Sequence, residues 1–398
     1  MEKYIIKGRV ISPDRILDKR AVFIKDSQIQ KIAGPVEFGS YPDEYLAGYN
    51  IIDAGENLIA PGFIDIHTHG ANDADAVKDP VGPMAELKAR HGTTSFLPTL
   101  WTAEFDRMVE ACSRIKDFID NQKKGARALG INSEGPYLNP DFGAQKRELV
   151  KDPDPSDYKR LVKASGGWLK IMTVAPELKG ASGLIKYLRT EDVTVSIGHT
   201  DIGVPEMQRA LDLGITLVTH LFNAMGDSIQ YDRGTKPVGI QEELLVRGGL
   251  MCELVSDRHG IHVKPVLIDI AYRCLGAGNI ILITDSMNMT GFPPGIYPLQ
   301  DGRKVTLEEG EDTLRLENGD LAGSVMTMDS AVKNFLDHTG CGICQAVRMA
   351  STNPAEVLGL SHRKGRIKPG MDADLAVFDE NIGIKMTMVQ GRIEYKNL

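Results

Sequence analysis

His67 and His69 stand two residues apart in the apolar run FIDIHTHG, residues 63 to 70. On a strand that spacing sends both imidazoles to one face, where a single cation can take them together. His199 ends the run VTVSIGHT and His220 lies near the end of ITLVTHLF, so four of the nine histidines fall at strand ends. A lone strand histidine is more often a hydrogen-bonded or capping residue, but four gathered this way point to a divalent metal site. Such sites usually add a carboxylate, and Glu134 and Asp285 occupy matching positions in ALGINSEG and NIILITDS. Glu134 is placed to coordinate or bridge metals. Asp285 is placed to take a proton from an activated water and return it to a leaving group.

Other polar residues share the pattern with less to say. Asp65 also closes toward the end of its run, and Glu177 in APE and Asp257 in VSD sit at strand ends where capping or ion pairing explains them as well as chemistry does. Lys170 precedes IMTVAPE, at the beginning of its strand, which leaves Glu134 the better bridge between metals. His91 reads as structural, and His338 and His362 fall outside the strands. In the loop SDRHGIHVKP, His262 is a better candidate than His259 to bond a substrate hydroxyl or carbonyl.

The elements that must carry these side chains can be counted. Short β-branched runs begin near residues 63, 93, 128, 169, 193, 215, 250 and 279, separated by stretches with helical periodicity such as AEFDRMVEACSRIKDFIDNQKK. Eight strands joined by crossovers of that length fit a (β/α)8 TIM-like barrel, an α/β fold whose chemistry lies at the carboxyl ends of its strands. The flanks differ. Residues 1–58 and 362–398 alternate apolar and polar residues between Gly, Pro and Asp, and neither is long enough for its own core, so they are expected to join into one small β-sandwich domain. The barrel, residues 59–361, is then an insertion.

Composition sets the outer limits. The chain has 398 residues, 54 acidic against 46 basic, which argues against binding nucleic acid. No apolar run is long enough to span a membrane, and the N-terminal MEKYIIKGRVISPDR does not resemble a secretory signal, so a cytoplasmic location is expected. Five scattered cysteines do not make a disulfide framework, and Cys341 and Cys344, though spaced C-x-x-C, run into a helical pattern with no second pair and read as structural.

Longer matching stretches accompany these residues: PGFIDIHTHG, SEGPYLNPDFGAQ, APE, GHT, THLFNAM, GIHV, TDSM, LAGS, and NPAEVLGL followed by GRIKPGMDADLAVFD. Over nearly the whole chain the sequence resembles the N-acetylglucosamine-6-phosphate deacetylases of the amidohydrolase superfamily. PGFIDIHTHG marks the superfamily, whereas SEGPYLNP, THLFNAM and LAGS mark the deacetylase branch. The resemblance implies Glu134, His199 and His220 as principal metal ligands, with Glu134 in place of the carbamylated lysine used elsewhere, and Asp285 as catalytic acid/base. Some members lack the first-strand histidines and hold one metal; with His67 and His69 present, one or two are expected. Ala144 and Gln145, with Asn223 and Ala224, are implied to meet the amide and sugar. His262 and Arg233 are implied to contact the sugar phosphate, commonly across a dimer interface, and the backbone of Leu321, Ala322 and Gly323 to close over the site. Acetate and an amino sugar phosphate would be the products, and a homodimer the assembly.

Two segments depart from the family pattern. GDSIQYDRGTKPVG alters the spacing around Arg233, and the stretch from Asp257 to His262 is two residues longer than usual, which makes Arg258 a candidate for a new anion contact. Both changes fall in the loops that read sugar and phosphate. A deacetylase of another acetamido sugar, such as N-acetylgalactosamine-6-phosphate or an unphosphorylated one, therefore stands as an alternative. A cyclic amidase of the hydantoinase or dihydroorotase kind lacks its bridging lysine here, and a non-catalytic barrel would have no use for intact histidines and Asp285. Zinc is the first choice of metal, with iron, manganese and cobalt suited to the same donors.

Overall fold

The computed structural model describes residues 3–226, 233–234, 238–299 and 301–398. Eight parallel strands, Phe63–Thr68, Thr93–Leu100, Ile131–Glu134, Leu169–Val174, Thr194–Ile197, Leu217–Val218, Met251–Val255 and Ile280–Ile283, pair each with the next in chain order. The ring nearly closes where the Asp285 amide donates to the His67 carbonyl at 3.0 Å and Thr68 bridges to Ser286. All eight fall within the expected runs. The helices between them pack one apolar stripe on the barrel: Phe105–Asn121 buries Met108, Ala111, Cys112, Ile115 and Ile119, the spacing of a single helical face. Pro155–Ser165 begins at Asp154, whose side chain accepts from the Ser156 amide, and stops at left-handed Gly166.

The two chain ends join in one seven-stranded sheet. Its order from one edge is Arg392–Lys396, Ile384–Val389, Leu375–Phe378, Asn50–Pro61, Lys3–Ile11, Ile16–Lys25 and Gln28–Ala33. The sheet rolls back on itself, because the Ile29 amide donates to the Met371 carbonyl and the Ala373 amide to the Ser27 carbonyl, at 2.9 and 2.7 Å. Tyr4, Ile6, Val22, Ile24, Ile29, Ile59, Leu375, Met386 and Met388 thereby share one core, as a sandwich requires.

A further sheet was not foreseen. Gly295–Pro298, Lys304–Leu307, Thr313–Leu316 and Leu321–Ser324 form an antiparallel sheet inserted after the eighth barrel strand. The runs KVTL and TLRL alternate between the turn-rich EEGED and ENGD, and that texture is the signal for it. Among the described residues no helix is long and apolar enough to cross a membrane. Cys341 and Cys344 are both half-buried and unpaired.

Candidate active site

The strands deliver their polar ends to one place. Glu134, the last residue of the third strand, points one carboxylate oxygen, Oε1, at His220 Nε2 (2.8 Å) and at His199 Nε2 (2.9 Å). Its other oxygen, Oε2, lies 3.3 Å from His69 Nε2 and accepts from the Gln145 amide at 3.2 Å. Asp285 Oδ1 is 3.1 Å from His69 Nε2 and 3.7 Å from His67 Nε2. The donors therefore form two groups, Glu134 with His199 and His220, and His67 with His69 and Asp285, and Glu134 faces both.

Three of the four rings are pinned from behind. The His69 Nδ1–H donates to the Thr99 carbonyl at 3.1 Å, the His199 Nδ1–H to the Phe142 carbonyl at 3.0 Å, and the His67 Nδ1–H to Glu253 Oε2 at 2.9 Å. With Nδ1 committed as a donor, each Nε2 turns a lone pair inward, the form in which imidazole binds a metal. The donor set thus fits a divalent cation.

The electrostatics agree. Burial by itself would lower the His67 and His69 imidazoliums, but the neighbouring carboxylates outweigh it, holding His67 well above its ordinary value and raising His69 to about 9. His199 is likewise raised against burial by Glu134. Burial would raise Glu134 and Asp285, yet the surrounding imidazoles hold Glu134 well below, and Asp285 below, the usual carboxylate range. The pocket is built for positive charge at its floor, which a metal ion supplies without protons.

Above this floor opens a cavity of about 380 Å³, a volume suited to a small substrate. Ala144, Gln145, Asn223, Ala224, His262, Leu321, Ala322 and Gly323, all expected to meet a substrate, line it. Asn223 is fixed by donating to the His262 carbonyl at 2.9 Å. Asp257 organises the lengthened loop: its carboxylate accepts from the Ile261 and His262 amides at 2.7 and 2.8 Å and lies 3.5 Å from His262 Nδ1. Burial opposes its ionisation, but these bonds overcome it and hold the carboxyl down at about 2. The strand Leu321–Ser324 runs beside Asp285, whose carbonyl accepts from the Ser324 amide at 2.9 Å.

Some expectations land elsewhere. Arg233 is exposed and does not line the cavity, and most of the altered segment around it, residues 227–232 and 235–237, lies outside the described residues. Arg258 is exposed too, its amide donating to Asp312 at 3.1 and 3.2 Å; within the subunit it makes no anion contact in the cavity, because the loop turns it outward. The His259 Nε2–H donates to the Gly310 carbonyl at 3.1 Å, tying the loop to the inserted sheet. Asp65 accepts from Lys88 and from Thr284, both at 2.7 Å, and Glu177 staples Asn139, Thr200 and Asp201, so both are structural. Lys170 bonds the Gly167 carbonyl at the start of its strand, far from the role of a bridge. His91 pairs with Asp329 at 2.9 Å.

Two contributors escaped the sequence reading. Glu253, a charge set among the apolar residues in the middle of the run LMCELVSD, is fully buried against His67, and that placement was the available signal. Arg303, in the turn before the second inserted strand, lines the cavity, donates to the Ala144 carbonyl at 2.8 Å and is neutralised by Asp301. Nothing local marks it, since its partner is 159 residues away.

Residues 58–393 match the model of the amidohydrolase family. An N-acetylglucosamine-6-phosphate deacetylase of Lysinibacillus sphaericus is 34% identical over 94% of this chain and 92% of its own. An N-acetylgalactosamine-6-phosphate deacetylase of Escherichia coli O157:H7 is 32% identical over 86% of this chain and 89% of its own. Among solved structures, the N-acetyl-D-glucosamine-6-phosphate deacetylase of Mycobacterium smegmatis, in complex with N-acetyl-D-glucosamine-6-phosphate, superposes with a TM-score of 0.87 at 26% identity, covering all of both chains. With its barrel, its donor groups and these relatives, the chain belongs to the amidohydrolase family, in the branch of the N-acetylglucosamine-6-phosphate deacetylases.

Proposed function

We propose that this chain hydrolyses the N-acetyl amide of N-acetylglucosamine-6-phosphate, releasing glucosamine-6-phosphate and acetate in amino-sugar catabolism. The observation that carries the reading is the convergence of Glu134, His199 and His220 beside Asp285 at the floor of a substrate-sized cavity. Glu134, His199 and His220 would hold one divalent cation, with zinc the first choice, and His67 and His69 a second. When bound, such a cation polarises the amide carbonyl and makes water a better acid near neutral pH.

The chain's own groups do the rest. Asp285, kept ionised by its imidazole neighbours, accepts the proton of the attacking water and passes it to the amide nitrogen as the C–N bond breaks. Gln145, Asn223 and Ala224 hold the acetamido group and sugar, and the Leu321–Gly323 backbone covers them and excludes water. His262, steadied by Asp257, and Arg233 from a second subunit meet the 6-phosphate. The homodimer this needs has apolar surface available: Val246 is 76% exposed, and Val266 and Ile270 on the neighbouring helix Pro265–Leu275 are 64% and 39% exposed. A cytoplasmic location fits a phosphorylated substrate.

The galactosamine epimer is a second reading, favoured by the relative of that name. Acetate release from N-acetylglucosamine-6-phosphate, N-acetylgalactosamine-6-phosphate and their unphosphorylated sugars, with metal-depleted and reconstituted protein, tests both. The expected outcome is metal-dependent turnover highest on N-acetylglucosamine-6-phosphate. Higher kcat/KM on the epimer selects the second reading, and no metal-dependent acetate release from any of the four overturns both.

A further inference from the structure

Glu253 lies on the strand Met251–Val255, between Cys252 and Leu254, which turn outward into the apolar layer between barrel and helices. Its carboxylate is fully buried, and among the described residues no lysine or arginine forms an ion pair with it. Oε2 accepts from His67 Nδ1 at 2.9 Å and from the His220 amide at 3.4 Å, while Oε1 has no hydrogen-bond partner among the described residues. Burying a carboxylate on such terms works against folding, so its presence asks for a use outside stability. The contacts supply one: His67 belongs to one donor group and His220 to the other. His69 and His199 are held by backbone carbonyls, which any sequence can offer. Only His67 depends on a side chain to keep Nδ1 protonated and Nε2 free.

We infer that Glu253 is a positioning residue that fixes the His67 tautomer and ring, and so builds the second cation site of His67, His69 and Asp285 without serving as a ligand itself. The inference rests on the proposed metal-dependent reading of the site. Removing such a hydrogen-bond partner typically weakens metal affinity about 10- to 100-fold. The Glu134, His199 and His220 group meets this carboxylate through the His220 backbone amide, at 3.4 Å, and not through a ring, so the loss falls chiefly on one of two equivalents.

The test is titration of metal-free protein with Co(II), followed by visible absorption and by elemental analysis, on the wild type, Glu253→Gln and Glu253→Leu. Glutamine keeps an acceptor for His67; leucine keeps the volume and removes the acceptor, and circular dichroism of the metal-free variants checks that each is folded. The wild type takes two equivalents. Glu253→Leu loses about 10- to 100-fold or more in affinity for one of them, with its absorption band, and keeps the other; Glu253→Gln recovers part of the loss. Equal affinities for both equivalents in wild type and both variants overturn the inference, as does equal weakening of both. Wild-type protein that takes one equivalent also overturns it, whereas wild-type protein that takes none removes the metal-dependent reading beneath it.

Discussion

Three of the groups at the cavity floor are constrained by their backbone. His199, His220 and Asp285 have φ of 47°, 28° and 48°, in the left-handed region that side chains seldom enter. Such residues cost about 1–3 kcal/mol each, which the surrounding barrel must supply. The turn out of the strand is what swings each side chain over the rim toward Glu134. At this scale the two carboxylates separate by experiment. Asp285→Asn removes the proposed proton acceptor and leaves Glu134, His199 and His220 in place, so kcat should fall on the order of 10²- to 10⁴-fold. Elemental analysis should still find metal in that variant, whereas Glu134→Ala, which deletes the group facing both donor sets, should lose it. Wild-type turnover in the asparagine variant would remove Asp285 from the mechanism.

The loops that follow the strands act as braces. The turn Phe142–Gly143 supplies the carbonyl that holds His199, and Gly143 passes so close that a Cβ there would lie 2.4 Å from His199 Nδ1. Its φ of 93° also favours glycine. Gly143→Ala should therefore displace His199 and weaken metal binding about 10- to 100-fold, read by competition with a chelator. The inserted sheet braces the other side. It reaches the loop after the third strand through Arg303 and Ala144, and the loop after the seventh through His259 and Gly310 and through Thr313 and His262, 3.3 Å apart. Two cavity-lining loops thus lean on one element, whose last strand also lines the cavity.

Across the whole molecule, the terminal sheet and the barrel are continuous at the histidine strand. Asn50–Pro61 in the sheet leads directly into Phe63–Thr68 in the barrel, and the Gly62 amide between them donates to the Asp374 carbonyl at 2.9 Å. A Cβ on Gly62 would meet Thr94 at 2.1 Å, so the crossing has room for glycine alone. Beside it, buried Lys364 pairs with Asp374 and, at 3.0 Å, with Asp372, while Phe63 stacks on Phe378 at 5.9 Å. Lys364→Ala would leave buried Asp374 without its cation, while Asp372 keeps Arg363 at 2.8 Å. It should cost about 3–5 kcal/mol of unfolding free energy, measured by urea denaturation.

Sequence by itself determined the barrel, the joining of the two ends, and the strand-end residues Glu134, His67, His69, His199, His220 and Asp285. Those features follow from local periodicity and from a polar residue's place at the end of an apolar run, and both are written in consecutive residues. Only tertiary structure decided that Glu134 faces both donor groups, that Glu253 stands behind His67 from across the barrel, that Arg303 braces Ala144, and that Arg258 turns outward. Each of these depends on which distant segments meet, and the partners lie far apart in the chain: 186 residues for His67 and Glu253, and 159 for Arg303 and Ala144. Strand periodicity says which way a side chain leaves its own strand; what it meets there is set by closure of the ring.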